Sequence, residues 1–199
     1  MDSKLHRRFL RIASTVSPRL QAALRASGPM RHPEREDKGV AVFLARAVVG
    51  QQLSTKAARA IWGRLETAAA DGELHALFHA DNERALRGCG LSRAKVKALQ
   101  SIRAAHEAGV LAPAQIRAMA HPERAALLTQ IHGIGPWTCD MLAIFYCKDP
   151  DVWPDGDSAA RKTLQRLIGR RKPAKVAALF APHRSILALY MWKIADAAL

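Results

Sequence analysis

Gly133 and Gly135 stand either side of Ile134, with Pro136 immediately after them, and further along Asp155 and Asp157 flank Gly156. The glycine pair lets the backbone turn tightly and approach another molecule without Cβ interference. Pro136 suits the first turn of a following helix. Such a helix start presents N–H groups with no intrahelical partner at a positive dipole end, which suits an anion such as a phosphate. Leu128, Ile131 and Ile134 are spaced to anchor the turn in a core. The aspartates supply the second ingredient, because a fixed carboxylate can stabilise developing positive charge and orient a water. Asp155 and Asp157 both remain candidates on local sequence. Asp157 also reads as the N-cap of a helix beginning at Ser158, and a capping residue can serve a site as well. A phosphate grip beside a carboxylate leads to the expectation of an enzyme that does chemistry on DNA.

The elements that must position these groups are helical. Phe43 to Val49 and Ser54 to Leu65 carry apolar residues at three- and four-residue steps, the helical period. Ser54 is placed to cap the second of these helices. Ser92 to His106 reads as another helix, stopped by Gly109, and its Lys95, Lys97 and Arg103 read as a solvated charged face. Pro113, Pro122 and Pro173 mark early helical turns. Strand signals are nearly absent and alanine is abundant, which favours helix. The expected fold class is all-α. The segment from Ala26 to Gly39 reads as a linker or exposed loop. One catalytic unit spanning 1–199 is expected, with lobes at 40–135 (a central bundle) and 1–39 plus 136–199 (terminal helices).

The 199 residues include 31 Lys and Arg against 17 Asp and Glu, a formal charge of +14 with a pI near 10.6. That excess favours a polyanionic partner through phosphate neutralisation. Arg161, Lys162, Arg166, Arg170, Arg171 and Lys172 concentrate it just after the aspartates. Three cysteines, Cys89, Cys139 and Cys147, have no paired spacing. They suit a reducing cytoplasm and argue against a disulfide scaffold, a zinc site or a four-thiolate iron–sulfur cluster. No signal peptide or membrane-spanning stretch is legible. A cytoplasmic bacterial monomer acting on the nucleoid is the expectation.

The stretch from Leu128 to Leu142 resembles the helix-hairpin-helix of the DNA glycosylase superfamily that also carries a Gly/Pro-rich loop and an aspartate. Val49 to Ser54 and Gly90 to Lys95 are similar to two further signatures of that superfamily's alkylated-base branch. Val152 to Lys162 resembles its aspartate loop, and Pro182 to Trp192 its last helix. The likeness covers about residues 40 to 195, in the family's order, in a short form without an added N-terminal sheet domain. It implies a two-lobed helical fold with a DNA cleft between the lobes.

The resemblance also implies roles. It makes Asp157 the catalytic carboxylate and Trp137 a pocket aromatic; Phe43, Trp62, Tyr146, Trp153, Tyr190 and Trp192 are further aromatic candidates for the pocket, most of which read as core, and Met141 and His183 fall at further pocket positions. Met141 and His183 stand where relatives often carry aromatics, which bears on the base preferred. Gln52 and Leu53, next to Gln51, fall where a wedge enters the duplex during base extrusion. Gly133, Ile134 and Gly135 would hold a phosphate; Lys162, within the basic cluster, reads as a further phosphate contact, and Arg184 as a phosphate contact or a structural residue. A Na or K ion at the hairpin backbone is the one ion implied, with no side-chain metal ligands and no other cofactor. Relatives that also cleave the strand use a lysine two residues after the second hairpin glycine; Trp137 stands there instead. The implied activity is monofunctional hydrolysis of the N-glycosidic bond of alkylated purines, 3-methyladenine and also 7-methylguanine, in double-stranded DNA during base excision repair. The alternatives are a glycosylase for another damaged or mismatched base and a non-catalytic helix-hairpin-helix DNA-binding protein.

Overall fold

A computed structural model describes residues 3–34, 38–70 and 72–197. Among them there is no strand. The helices are α1 (Ser3–Val16), α2 (Pro18–Ser27), α3 (Val40–Gly50), α4 (Thr55–Ala69), α5 (Glu83–Gly88), α6 (Arg93–Glu107), α7 (Pro113–Ala118), α8 (His121–Leu128), α9 (Pro136–Met141), α10 (Ser158–Ile168), α11 (Pro173–Ala178) and α12 (Arg184–Asp196). Short 3₁₀ turns cover Leu74–Phe78 and Ala80–Asn82, and α9 continues into a π-helical turn over Leu142–Cys147. The serines and prolines act where the sequence places them. Ser54 Oγ accepts from Ala57 N at 3.2 Å and Ser92 Oγ from Lys95 N at 3.3 Å, while proline occupies the first turn of α7, α8, α9 and α11. The segment read as a linker divides: Ala26 and Ser27 end α2, 28–34 is irregular, 35–37 lies outside the described residues, and Gly39 precedes α3.

The chain forms two compact units, Met1–Arg35 with Ala143–Leu199, and Glu36–Leu142. The division falls after Leu142, so α9 belongs with the middle of the chain, where it packs on α3 and α8. In that unit α3 is central. Val40, Ala41, Leu44, Ala45, Val48 and Val49 are all buried, and a helix apolar on nearly every side has to be enclosed. Helices α4, α6 and α9 enclose it. Leu128, Ile131 and Ile134 are buried, anchoring the hairpin between α8 and α9.

In the other unit α12 takes the central place, with Ser185 to Met191 buried without a break. Helices α2, α10 and α11 pack against it. Phe9 of α1 meets Phe180 and Tyr190 at ring-centroid distances of 4.9 and 5.8 Å. Ser17 caps α2 and also donates its hydroxyl to Leu167 O at 2.7 Å, tying α2 to the end of α10.

Candidate nucleic-acid interface and catalytic carboxylate

The hairpin is built around a glycine that the fold requires. Gly133 has φ +86, and a Cβ there would sit 2.4 Å from Ala98 Cβ on α6. Any side chain would be strained in conformation and would collide with the helix behind it. Gly135 differs: a Cβ there would meet nothing within 4 Å. Internal packing gives no reason for a glycine at 135, whereas close approach by another molecule does. Ile134 N closes the turn on Ile131 O at 3.0 Å. Gly135 then starts α9, whose first-turn N–H groups have no intrahelical acceptor.

The α3–α4 loop lies against this hairpin. Gln51 turns inward, donating its amide to Gly133 O and Thr138 Oγ1, each at 3.3 Å. Gln52 and Leu53 turn outward. Gln52 holds φ +57, a left-handed conformation that non-glycine residues seldom adopt. Leu53 is 40% exposed and therefore no core leucine. Lys95 fixes the loop from below, contrary to its reading as part of a solvated face. Its ammonium donates to Val49 O at 2.7 Å and Gln51 O at 2.8 Å. A cation on the last carbonyls of a helix is favourable, and burial lowers the Lys95 pKa. Lys97 remains exposed, and Arg103 pairs with Glu107 at 2.7 Å. A depression of about 230 Å³ lies between loop and hairpin, lined by Gln51, Gln52, Lys95, His132 and Gly133 among others.

In the other unit the two aspartates separate by environment. Asp155 is exposed and accepts from the Trp153 indole at 3.2 Å. Asp157 is buried. Its Oδ1 accepts from Ala160 N at 2.8 Å, as the N-cap of α10, and from Trp192 Nε1 at 3.0 Å. The capping role expected of it is therefore real, and it fixes the carboxylate at the positive end of a helix. Trp192 is itself held by a stacked contact with Phe145, 5.4 Å between centroids. Sequence reasoning placed Trp192 only as one aromatic among several; the packing of α12 on α10 is what brings its indole to Asp157.

The loop before Asp157 is stapled to the start of α12. Arg184 donates from Nε and Nη2 to the two carboxylate oxygens of Asp151, at 2.7 and 3.0 Å, and from Nη2 to Asp151 O at 2.9 Å. This fork holds the Asp151 carboxyl below its ordinary range. Ser185 adds a second staple, accepting from Val152 N at 2.9 Å and donating to Asp149 O at 2.6 Å. Arg184, read as a phosphate contact or a structural residue, braces the aspartate loop. Arg161, Lys162 and Arg166 are exposed on α10, and Arg170, Arg171 and Lys172 are exposed in the turn between α10 and α11.

The expected pocket residues differ in what they expose. Trp137, second residue of α9, and Phe43 of α3 are half-buried. His183 is half-buried just before α12. Met141 is buried, and Tyr146, on the π-helical turn, is 1% exposed and offers no ring face to solvent. Among the described residues no group of three or more His, Cys, Asp or Glu side chains is placed to hold a metal ion.

The chain is 34% identical over 160 residues to DNA-3-methyladenine glycosylase 1 of Schizosaccharomyces pombe, a match covering 75% of this chain and 70% of that protein. The solved structure of the S. pombe 3-methyladenine DNA glycosylase in complex with abasic DNA superposes with a TM-score of 0.81 at 30% identity, covering 94% of this chain and 95% of that one. A DNA-3-methyladenine glycosidase from Bacillus halodurans superposes with a TM-score of 0.78 at 27% identity, over 98% and 90% of the two chains. No protein-family model matches. With a hairpin, an outward-turned loop and a buried aspartate all set on this backbone, the chain belongs to the DNA-3-methyladenine glycosylases, hydrolases of the helix-hairpin-helix superfamily.

Proposed function

We propose that the protein is a monofunctional DNA glycosylase that excises alkylated purines, 3-methyladenine first and 7-methylguanine second, from double-stranded DNA in base excision repair. The observation that carries the reading is the buried Asp157 carboxylate, held by a helix N-terminal N–H and the Trp192 indole. Alkylation leaves the purine cationic. When the N9–C1′ bond breaks, both electrons go to the base and neutralise it. The sugar becomes cationic in the transition state, and a preorganised carboxylate stabilises that charge. Water then bonds to C1′ and gives up a proton to the carboxylate or to solvent.

The hairpin N–H groups hold a phosphate of the damaged strand, and Gln52 with Leu53 enters the gap left by the extruded nucleotide. Trp137 and Phe43 offer the aromatic surface an electron-poor base prefers. Lys162 supplies phosphate contact from α10. A Na or K ion belongs to the same proposal: Gly133 O, which accepts from Gln51 at 3.3 Å, is an oxygen donor of the kind hard cations take. Trp137 stands where a Schiff-base lysine would be needed, so the product is an intact abasic site. That Cys89, Cys139 and Cys147 form no disulfide among the described residues supports a cytoplasmic setting, and a monomer acting on DNA is the proposed working form.

The test is incubation with a methylated duplex, with chromatography of the freed base and scoring of strand breaks before and after alkali. Release of 3-methyladenine, with breaks only after alkali, is expected. Asp157→Asn preserves an N-cap, since asparagine caps as well as aspartate. It is expected to retain the fold and abasic-DNA affinity while losing about 10²-fold or more in rate. Stoichiometric nicking without alkali, or undiminished release by the variant, would overturn the mechanism.

A further inference from the structure

A second depression, of about 540 Å³, flanks the α3–α4 loop and shares no lining residue with the one beside the hairpin. Arg46 and Gly50 of α3 form one wall; Thr55, Arg59, Gly63 and Glu66, one face of α4, form the other, with Leu53 at its lip. We propose that this groove receives the sugar–phosphate backbone of the strand opposite the damaged base. The inference rests on the DNA reading above.

Three observations converge on it. Arg46 and Arg59 are both exposed, with the Arg46 guanidinium 5.8 Å from the Trp62 ring centroid. That stacking orients a planar cation along the groove. Among the described lining residues the acid is Glu66. Its Oε1 accepts from the Trp62 indole at 2.9 Å and lies 3.7 Å from Lys38 Nζ, toward the end of α4 away from Thr55 and the loop.

The glycines are the second observation. Gly63 sits inside α4, where glycine is a poor helix former. A Cβ at Gly63 or at Gly50 would meet nothing within 4 Å. Neither lies in the left-handed region, so the fold asks for no glycine at either place. Both line the groove, and both leave room for another molecule's backbone.

Position is the third. Val48 and Gln51 line the depression shared with the hairpin, while Arg46 and Gly50 line this one. A wedge driven into a duplex has one strand on each side. With the hairpin holding the damaged strand, the groove faces its complement.

The experiment measures wild-type affinity for a duplex carrying a tetrahydrofuran abasic analogue. In a second duplex the complementary strand carries neutral methylphosphonate linkages opposite the analogue. The neutral linkages are expected to weaken wild-type binding about tenfold, and to weaken Arg46→Gln/Arg59→Gln much less. The double variant should flatten the slope of log affinity against log salt by about two, one for each lost contact. Gly63→Met fills the groove with a better helix former, so its melting temperature should hold or rise while duplex affinity falls. Equal loss for the double variant on single-stranded analogue would place the groove on the damaged strand and overturn the proposal. So would indifference of the wild-type protein to the neutral linkages. Failure of the wild-type protein to release methylated base would overturn the proposed function alone, because the groove is read on DNA that has no base to release.

Discussion

Asp157 performs two tasks with one oxygen. Its Oδ1 ends the α10 backbone and takes the Trp192 indole N–H, so the plane of the carboxylate is set before any substrate arrives. Preorganisation of this kind removes the cost of reorienting a dipole as charge develops. Trp192→Phe keeps an aromatic ring against Phe145 and deletes only the donor. We expect it to lower the single-turnover rate of base release by about tenfold, with affinity for abasic DNA unchanged. A purely structural role would show instead as a lowered melting temperature with an unchanged rate. Cys139, beside the hairpin, is held in the thiol form: burial, reinforced by Asp140, pushes its pKa to about 11. It is a packing residue of α9 rather than a nucleophile.

At the scale of elements, two short segments carry the candidate residues, one in each unit, and each is held from behind by a helix. The hairpin leans on α6 through Gly133. Gly133→Ala would place a Cβ against Ala98 at 2.4 Å in a left-handed conformation. The expected cost is about 1–3 kcal/mol, read as a lower denaturation midpoint, whereas Gly135→Ala should leave the midpoint within about 0.5 kcal/mol and weaken DNA binding. The aspartate loop leans on α12 through the Arg184–Asp151 fork. Asp151 has its pKa lowered from the ordinary 3.8, chiefly by its hydrogen bonds to Arg184. A depressed carboxyl contributes stability that is fully present above its unfolded value and is lost as pH falls through the folded one. Asp151→Asn should therefore be less stable than the wild type at neutral pH, and the two should converge below pH 3.8 as the wild-type carboxylate protonates. Thermal melts across that range check the sign; a gap that persists in acid would mean the pair is not the cause.

At the scale of the whole molecule the dominant quantity is charge. An excess of +14 on 199 residues makes affinity for any duplex strongly ionic. Log affinity should fall linearly with log salt, with a slope steeper than about −3 if several phosphates are neutralised. Filter binding or anisotropy across a salt series measures it. A flat response would remove the polyanion argument, whatever the fate of the catalytic one. The distribution of that charge matters as much as its size, because Lys95 and Arg184 are committed to internal carbonyl and carboxylate oxygens.

The helical class, the capping Ser54, the early-turn prolines and the hairpin were all legible in the residues themselves. Each depends on interactions within a few positions along the chain, where periodicity and backbone chemistry act directly. The resemblance added the order of the site segments and singled out Asp157 over Asp155. Partners distant in the sequence were invisible: Trp192 on Asp157, Arg184 on Asp151, Lys95 on the end of α3, Ala98 behind Gly133. A helical pattern tells which face of a segment is buried and is silent on which segment buries it. It could therefore show Lys95 as one charge on an amphipathic helix, while the packing of α6 on α3 decided that its ammonium would close another helix and fix the loop that carries Gln52 and Leu53.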